Sequence, residues 1–130
     1  MKNKLKIALA QLNPIVGDVK GNIKKLIKVR STLNKDVDII VAPELYVTGY
    51  PIDDLVLRDD FLELVKNEIE QLAELTKDNN AAIIIGAPRK EKESIKNSVF
   101  ILDHGKIITY RDKYNLPNSG VFDEQRIFSP

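Results

Sequence analysis

The 130 residues carry 20 lysines and arginines against 19 aspartates and glutamates, with 43% hydrophobic and 30% charged positions. That is the composition of about one globular domain, and a formal net charge of +1 excludes a strong electrostatic pull toward nucleic acid or an anionic membrane. There is no cysteine, which excludes disulfides, thiolate metal sites and a cysteine nucleophile within these residues.

The opening residues MKNKLKIALAQLNP are basic and then briefly apolar. They lack a small-residue cleavage site and are too short in their apolar run for a signal peptide. No stretch approaches the roughly 20 apolar residues of a membrane span. The expectation is a cytoplasmic protein.

Residues 5–12, LKIALAQL, read as a first strand. In 17–35 the residues Ile23, Leu26, Ile27 and Leu33 recur on one side of a 3.6-residue period, predicting an amphipathic helix capped by Asp18. VDIIVA, 37–42, is a nearly continuous apolar run, as expected of a strand covered on both faces. Residues 43–58 hold two prolines and a glycine and form a loop long enough to suspect function.

A second helix is predicted over 60–78, with Leu62, Val65, Ile69, Leu72 and Leu75 as its stripe and Asp59 or Asp60 as its cap. AAIIIGAP, 81–88, is a third apolar strand. NSVFIL (97–102) and KIITYR (106–111) flank Asp103-His104-Gly105 and predict a hairpin with Gly105 in the turn. The tail from Asp112 to Pro130 shows no clear period. The order is β-α-β-α-β followed by a β-hairpin, an α/β chain with a parallel core, right-handed crossovers and antiparallel strands at one side.

Two residues stand out chemically. Glu44 follows the second strand at once, and ligands of open α/β sheets sit outside the carboxyl ends of their strands. Partial desolvation there suits a general base; the plainer reading is a loop carboxylate that accepts backbone hydrogen bonds. Lys113 follows the last hairpin strand. An amine held near a carboxylate can stabilise an oxyanion, although alone it reads as a solvated surface charge.

Other features have simpler readings. Gly17, Gly21 and Gly49 fit neither phosphate-loop spacing and read as turn glycines. His104 reads as a solvated turn residue. Asp53-Asp54 and Asp59-Asp60 read as capping and solvated acids rather than metal ligands. Arg89-Lys90-Glu91-Lys92-Glu93 mixes both signs and reads as a solvated loop.

The segments KIALAQLNPIVGDVKGN, VAPELYVTGYPIDDL, IIIGAP and YRDKYNLPNSGVFDEQRIF together resemble the nitrilase (carbon–nitrogen hydrolase) superfamily. Within it they are most similar to the N-terminal glutaminase domain of glutamine-dependent NAD+ synthetases. The resemblance covers nearly the whole chain. It implies an α-β-β-α sandwich, of which these residues would form the N-terminal half, and a Glu, Lys, Cys catalytic set in that chain order.

On that resemblance Glu44 matches the general base and Lys113 the residue that stabilises the tetrahedral oxyanion. Glu124 matches a second acid beside the lysine, and Phe122 lies with it at the glutamine pocket. Ser119 stands where the family carries a pocket tyrosine, a change that removes the ring and most of its contact area. The cysteine, on a later strand in the family, would attack the side-chain amide of glutamine.

With that residue absent, positions 1–130 read as a single incomplete glutaminase domain, inactive alone. There is no Ser-Gly-Gly nucleotide loop, so no synthetase domain and no cofactor are expected; ATP belongs to the synthetase domain of the family. Half of a sandwich should leave one apolar sheet face uncovered, favouring a complementary C-terminal half, a partner chain or a homo-oligomer. Two other readings are a non-catalytic half-domain that binds a partner through that face and a flavodoxin-like binding module. No nucleic acid or membrane partner is expected.

Overall fold

The computed structural model describes residues 3–118 and 124–130. Strands β1 (Ile7–Leu9), β2 (Ile39–Val41), β3 (Ala82–Glu91), β4 (Ser94–Asp103) and β5 (Lys106–Asp112) form one sheet in the order β1-β2-β3-β4-β5. The first three are parallel and the last three antiparallel, as the apolar runs and the hairpin signal predict. Helix α1 (Val19–Ser31) joins β1 to β2, and α2 (Asp59–Leu75) joins β2 to β3.

Adding strands in one direction with crossovers of one hand puts both helices on the same face, and α1 packs against α2. The strand order never reverses, so the sheet has no switch point of the kind that a flavodoxin-like module uses for its ligand. That reading is set aside.

The core lies between the helices and one face of the sheet. Val19, Ile23 and Leu26 of α1, Phe61, Leu62, Val65, Ile69 and Leu72 of α2, and Ile40, Ile83, Ile85, Phe100 and Leu102 of the sheet are all buried. The stripe of α2 ends one turn early. Leu75 is exposed, and a 3-10 turn over Thr76–Asp78 finishes the segment.

Successive strand residues point to opposite faces, and the register places Leu9, Val41, Ile84 and Ile101 in one row. This is the face turned away from the helices. Leu9 is 73% exposed and Ile7 48%. The uncovered apolar face expected from the sequence is therefore present among the described residues.

Several local expectations are corrected. The parallel strands β1 and β2 are three residues each, shorter than the apolar runs 5–12 and 37–42; β1 is an edge strand paired only with β2. Arg89-Lys90-Glu91 is strand rather than loop, and Lys92-Glu93 turns β3 into β4. Arg89 lies over the Tyr110 ring at 4.1 Å and donates to Asp112 at 2.8 Å, so it is a paired side chain rather than a solvated one.

The N-cap of α2 is Arg58, without a side-chain cap bond; Asp60 instead accepts the Phe61 N–H inside the first turn. Gly21 is helical rather than in a turn. A Cβ there would lie 2.1 Å from the Asp18 carboxylate that caps α1. Gly17 and Gly49 do turn the chain at positive φ. His104 and Gly105 are both left-handed, as a two-residue hairpin loop of this kind requires. The tail, read as aperiodic, contains a short helix, α3 (Glu124–Ile127).

Candidate active site

Glu44 leaves the carboxyl end of β2, and backbone contacts fix the position of its Cα. Ala42 N–H donates to Ile84 O, and Val47 N–H donates to Gly86 O. Between them the chain passes directly over Gly86. A Cβ on Gly86 would lie 2.5 Å from Leu45 N and 2.9 Å from Glu44 Cα, a spacing that excludes every other residue type without displacing the acid.

The next residue, Leu45, is left-handed with φ 51°. That conformation costs an L-residue about 1–2 kcal/mol. Leu45, Tyr46 and Val47 are fully buried, and this burial offsets the cost. Buried Asn22 ties the loop to α1 by donating to Val47 O and Ile15 O, while the Tyr46 hydroxyl donates to Asn22 O.

Lys113 comes from the other side of the sheet. It is the first residue after β5, and its N–H donates to Asn97 O at 2.7 Å, extending the β4–β5 pairing by one bond. Its Nζ lies 2.7 Å from Glu44 Oε1 and 3.1 Å from both oxygens of Glu124. The hydrogen-bond geometry is met at Glu124 Oε1, whereas Oε2 has the charge contact alone.

Glu124 is 4% exposed. It opens α3, which packs on the 3-10 turn Asp53–Leu57, and its N–H donates to Pro117 O. Residues 69 and 11 positions apart from Lys113 thus meet around one ammonium. Ser119 and Phe122 lie outside the described residues.

Two further residues complete the cluster. Asn97, buried in β4, donates from Nδ2 to Glu44 Oε1 at 2.7 Å. The Tyr50 hydroxyl donates to Glu124 Oε1 at 3.3 Å. Neither was legible in the sequence. Asn97 read only as the start of a strand and Tyr50 as part of a turn-rich loop, and it is the register of β4 and the fold of the loop that bring them in. Gly86 was hidden in the same way within an apolar run.

Two carboxylates facing one ammonium leave the cluster with an excess negative charge. Burial alone would lower the Lys113 ammonium, but the hydrogen bonds to Glu44 and Glu124 outweigh it and hold its pKa above the ordinary value. Lys113 is therefore a charged donor rather than a neutral amine at neutral pH. Burial, together with Glu124 and Glu44, pushes the Tyr50 phenol up, so it stays protonated and donates.

Lys113 fills the space between the acids that a cation would otherwise occupy. The cluster opens into a depression of about 310 Å³ lined by Ala42, Glu44, Gly86, Asn97, Val99 and Lys113. A larger groove of about 410 Å³ lies between α2 and the β4–β5 hairpin. The charged pair at its rim, Lys90 with Asp59, is solvent-exposed, so the smaller depression is the better chemical site.

The family model described as carbon-nitrogen hydrolase matches residues 6–130. The chain belongs to the carbon–nitrogen hydrolase family. Among curated proteins, this carbon–nitrogen hydrolase chain is 37% identical over 128 residues to the glutamine-dependent NAD(+) synthetase of Thermotoga maritima, covering 98% of the chain and 22% of that relative. The enzyme of the same name from Aquifex aeolicus is 36% identical over 124 residues.

Of solved structures, the glutamine-dependent NAD+ synthetase of Acinetobacter baumannii matches with a TM-score of 0.88 and 35% identity over 96% of the chain and 24% of the structure. An amidase from Nesterenkonia matches with a TM-score of 0.79 at 18% identity, which shows the shared fold. The chain spans less than a quarter of the length of these synthetases.

Proposed function

We propose that these residues supply the acid–amine part of a glutamine amide hydrolase site. The observation that carries it is the meeting of Glu44, Lys113 and Glu124 around a single ammonium at 2.7 and 3.1 Å. Glu44 would take the proton of a thiol, and the thiolate would attack the side-chain carbonyl carbon of glutamine. Lys113 would hold the oxyanion of the tetrahedral intermediate.

As the C–N bond breaks, Glu44 returns the proton to the nitrogen and ammonia leaves. Water then adds to the thioester with Glu44 again as base, releasing glutamate and the thiol. The thiol has to come from outside these 130 residues, which contain no cysteine. The likeness to glutamine-dependent NAD+ synthetases supports glutamine as the substrate and a cytoplasmic location, and implies that the ammonia feeds an ATP-dependent amidation elsewhere.

Mixing the chain with a cysteine-bearing C-terminal segment of a synthetase relative tests this. Glutamine-dependent ammonia release that disappears with Glu44→Gln is expected. Release unchanged by Glu44→Gln would falsify the general-base role.

A second reading, a non-catalytic half-domain that pairs with another chain, is favoured by the apolar row through Leu9, Val41, Ile84 and Ile101, exposed at Leu9 and half-buried at the other three. Under it, the same mixture forms a stable complex but releases no ammonia.

A further inference from the structure

The two oxygens of Glu44 are unequal. Oε1 accepts from Asn97 Nδ2 and from Lys113 Nζ, both at 2.7 Å. Among the described residues Oε2 accepts nothing. A carboxylate twice engaged at one oxygen presents its more available lone pairs at the other. A base must also hold its accepting atom within about 2.6–3.2 Å of the proton it removes.

Lys113 cannot set that orientation alone. Its ammonium rides on a flexible four-carbon stem with three rotatable donors and is shared with Glu124. Asn97 is different in each respect. Its amide is planar and on a short stem, it is 3% exposed, and it sits within the ten-residue strand β4 between two paired neighbours. It is also neutral, so it orients Glu44 without cancelling the charge a base needs. The carbonyl of the same residue receives the Lys113 N–H at 2.7 Å, which fixes the main chain of the second functional side chain.

We infer that Asn97 is the positioning residue of the acid–amine pair. Its amide commits Glu44 Oε1, and the proton-accepting atom is Oε2. The catalytic half of this inference rests on the proposed role of Glu44 as base; the contact itself does not.

The test is a pH titration of the Asn97 side-chain amide by ¹⁵N–¹H NMR on the 130-residue chain. Acid that protonates Glu44 removes the charge from the acceptor, so the hydrogen-bonded Nδ2 proton should move upfield in a single step. That step should vanish in Glu44→Gln and persist in Glu124→Gln. A flat amide resonance in the unaltered chain, or a step that survives Glu44→Gln, overturns the inference.

In the mixture with a cysteine-bearing segment, Asn97→Ala should lower kcat by about 10²-fold, the cost of a misplacement near 1 Å, with KM little changed. A loss confined to KM overturns the positioning role. If no mixture hydrolyses glutamine at all, the general-base reading fails, and the NMR titration still decides the Asn97 contact.

Discussion

Arg30 and Lys113 are both cations held by carboxylates, and the two clusters are built differently. Arg30 is closed. Its guanidinium meets Asp78 through two parallel bonds of 2.7 and 2.8 Å and gives its Nε–H to Ala81 O at 2.8 Å. One cation faces one anion, and the arginine side chain is 3% exposed. Lys113 is open. One ammonium serves two carboxylates, Glu44 is half exposed, and among the described residues one oxygen of each acid accepts no hydrogen bond.

A closed pair ties the end of α1 to the segment before β3 and has nothing left to offer a ligand. An open cluster keeps charge and lone pairs available, at the expense of stability. Having an ion pair does not mark a site. What marks it is the mismatch between charges and partners.

The largest effect expected is on the open side. In a mixture competent for ammonia release, Glu44→Gln should lower kcat by about 10²–10⁴-fold. Its effect on chemical denaturation should stay within about 0.5 kcal/mol, because the side chain is half exposed. Lys113→Ala should cost about 10²–10³-fold by the loss of an oxyanion donor; an unchanged kcat would remove it from the mechanism.

The closed side should reverse this pattern. Asp78→Ala leaves a buried guanidinium unpaired and should destabilise the chain by about 3 kcal/mol, read as a lower urea midpoint, without altering turnover of the folded fraction. Tyr50→Phe removes the 3.3 Å bond to Glu124 and should cost about 1 kcal/mol or less, with a change in ammonia release under tenfold. A larger loss there would mean that the phenol touches substrate.

The two clusters also separate with pH. Hydrogen bonds from Arg30, more than its charge, hold the Asp78 carboxyl well below the usual carboxylate range. Its stabilising contribution is therefore present above the unfolded value of about 3.9 and is lost as pH falls below it. Lys113 is shifted the other way. Its contribution is present below about 10.4 and is lost as pH rises through the higher folded value. Unfolding midpoints measured from acid to alkali should fall at both ends, and Asp78→Asn should weaken the acid limb, to which Asp60 and Asp112 also contribute, and leave the alkaline one unchanged.

How much of this was legible follows from what each signal depends on. Glu44 and Lys113 stand in strand-end positions that a local reading can place, and the motifs around them carry the resemblance to the family. The two helices were legible because their stripes repeat every turn.

Asn97 and Gly86 were not, because their roles exist only once β4 and the strand-end loop lie beside β3. The charged run from Arg89 was misread for the same reason. Its partner, Asp112, is 23 residues away on β5, and charge alone does not say which cations are paired. Glu124 was assigned by resemblance, and its burial beside Tyr50 is a tertiary fact.

Gly86 has one more consequence. The Glu44 main chain rests on the main chain of β3 with no side chain between them. Rotamer motion of neighbouring side chains, the first freedom a warming protein gains, has nothing to act on there. The Cα of the acid should keep its place through premelting and lose it only when β2 and β3 part. Hydrogen exchange at Val47, whose N–H donates to Gly86 O, should then follow global unfolding rather than local fraying.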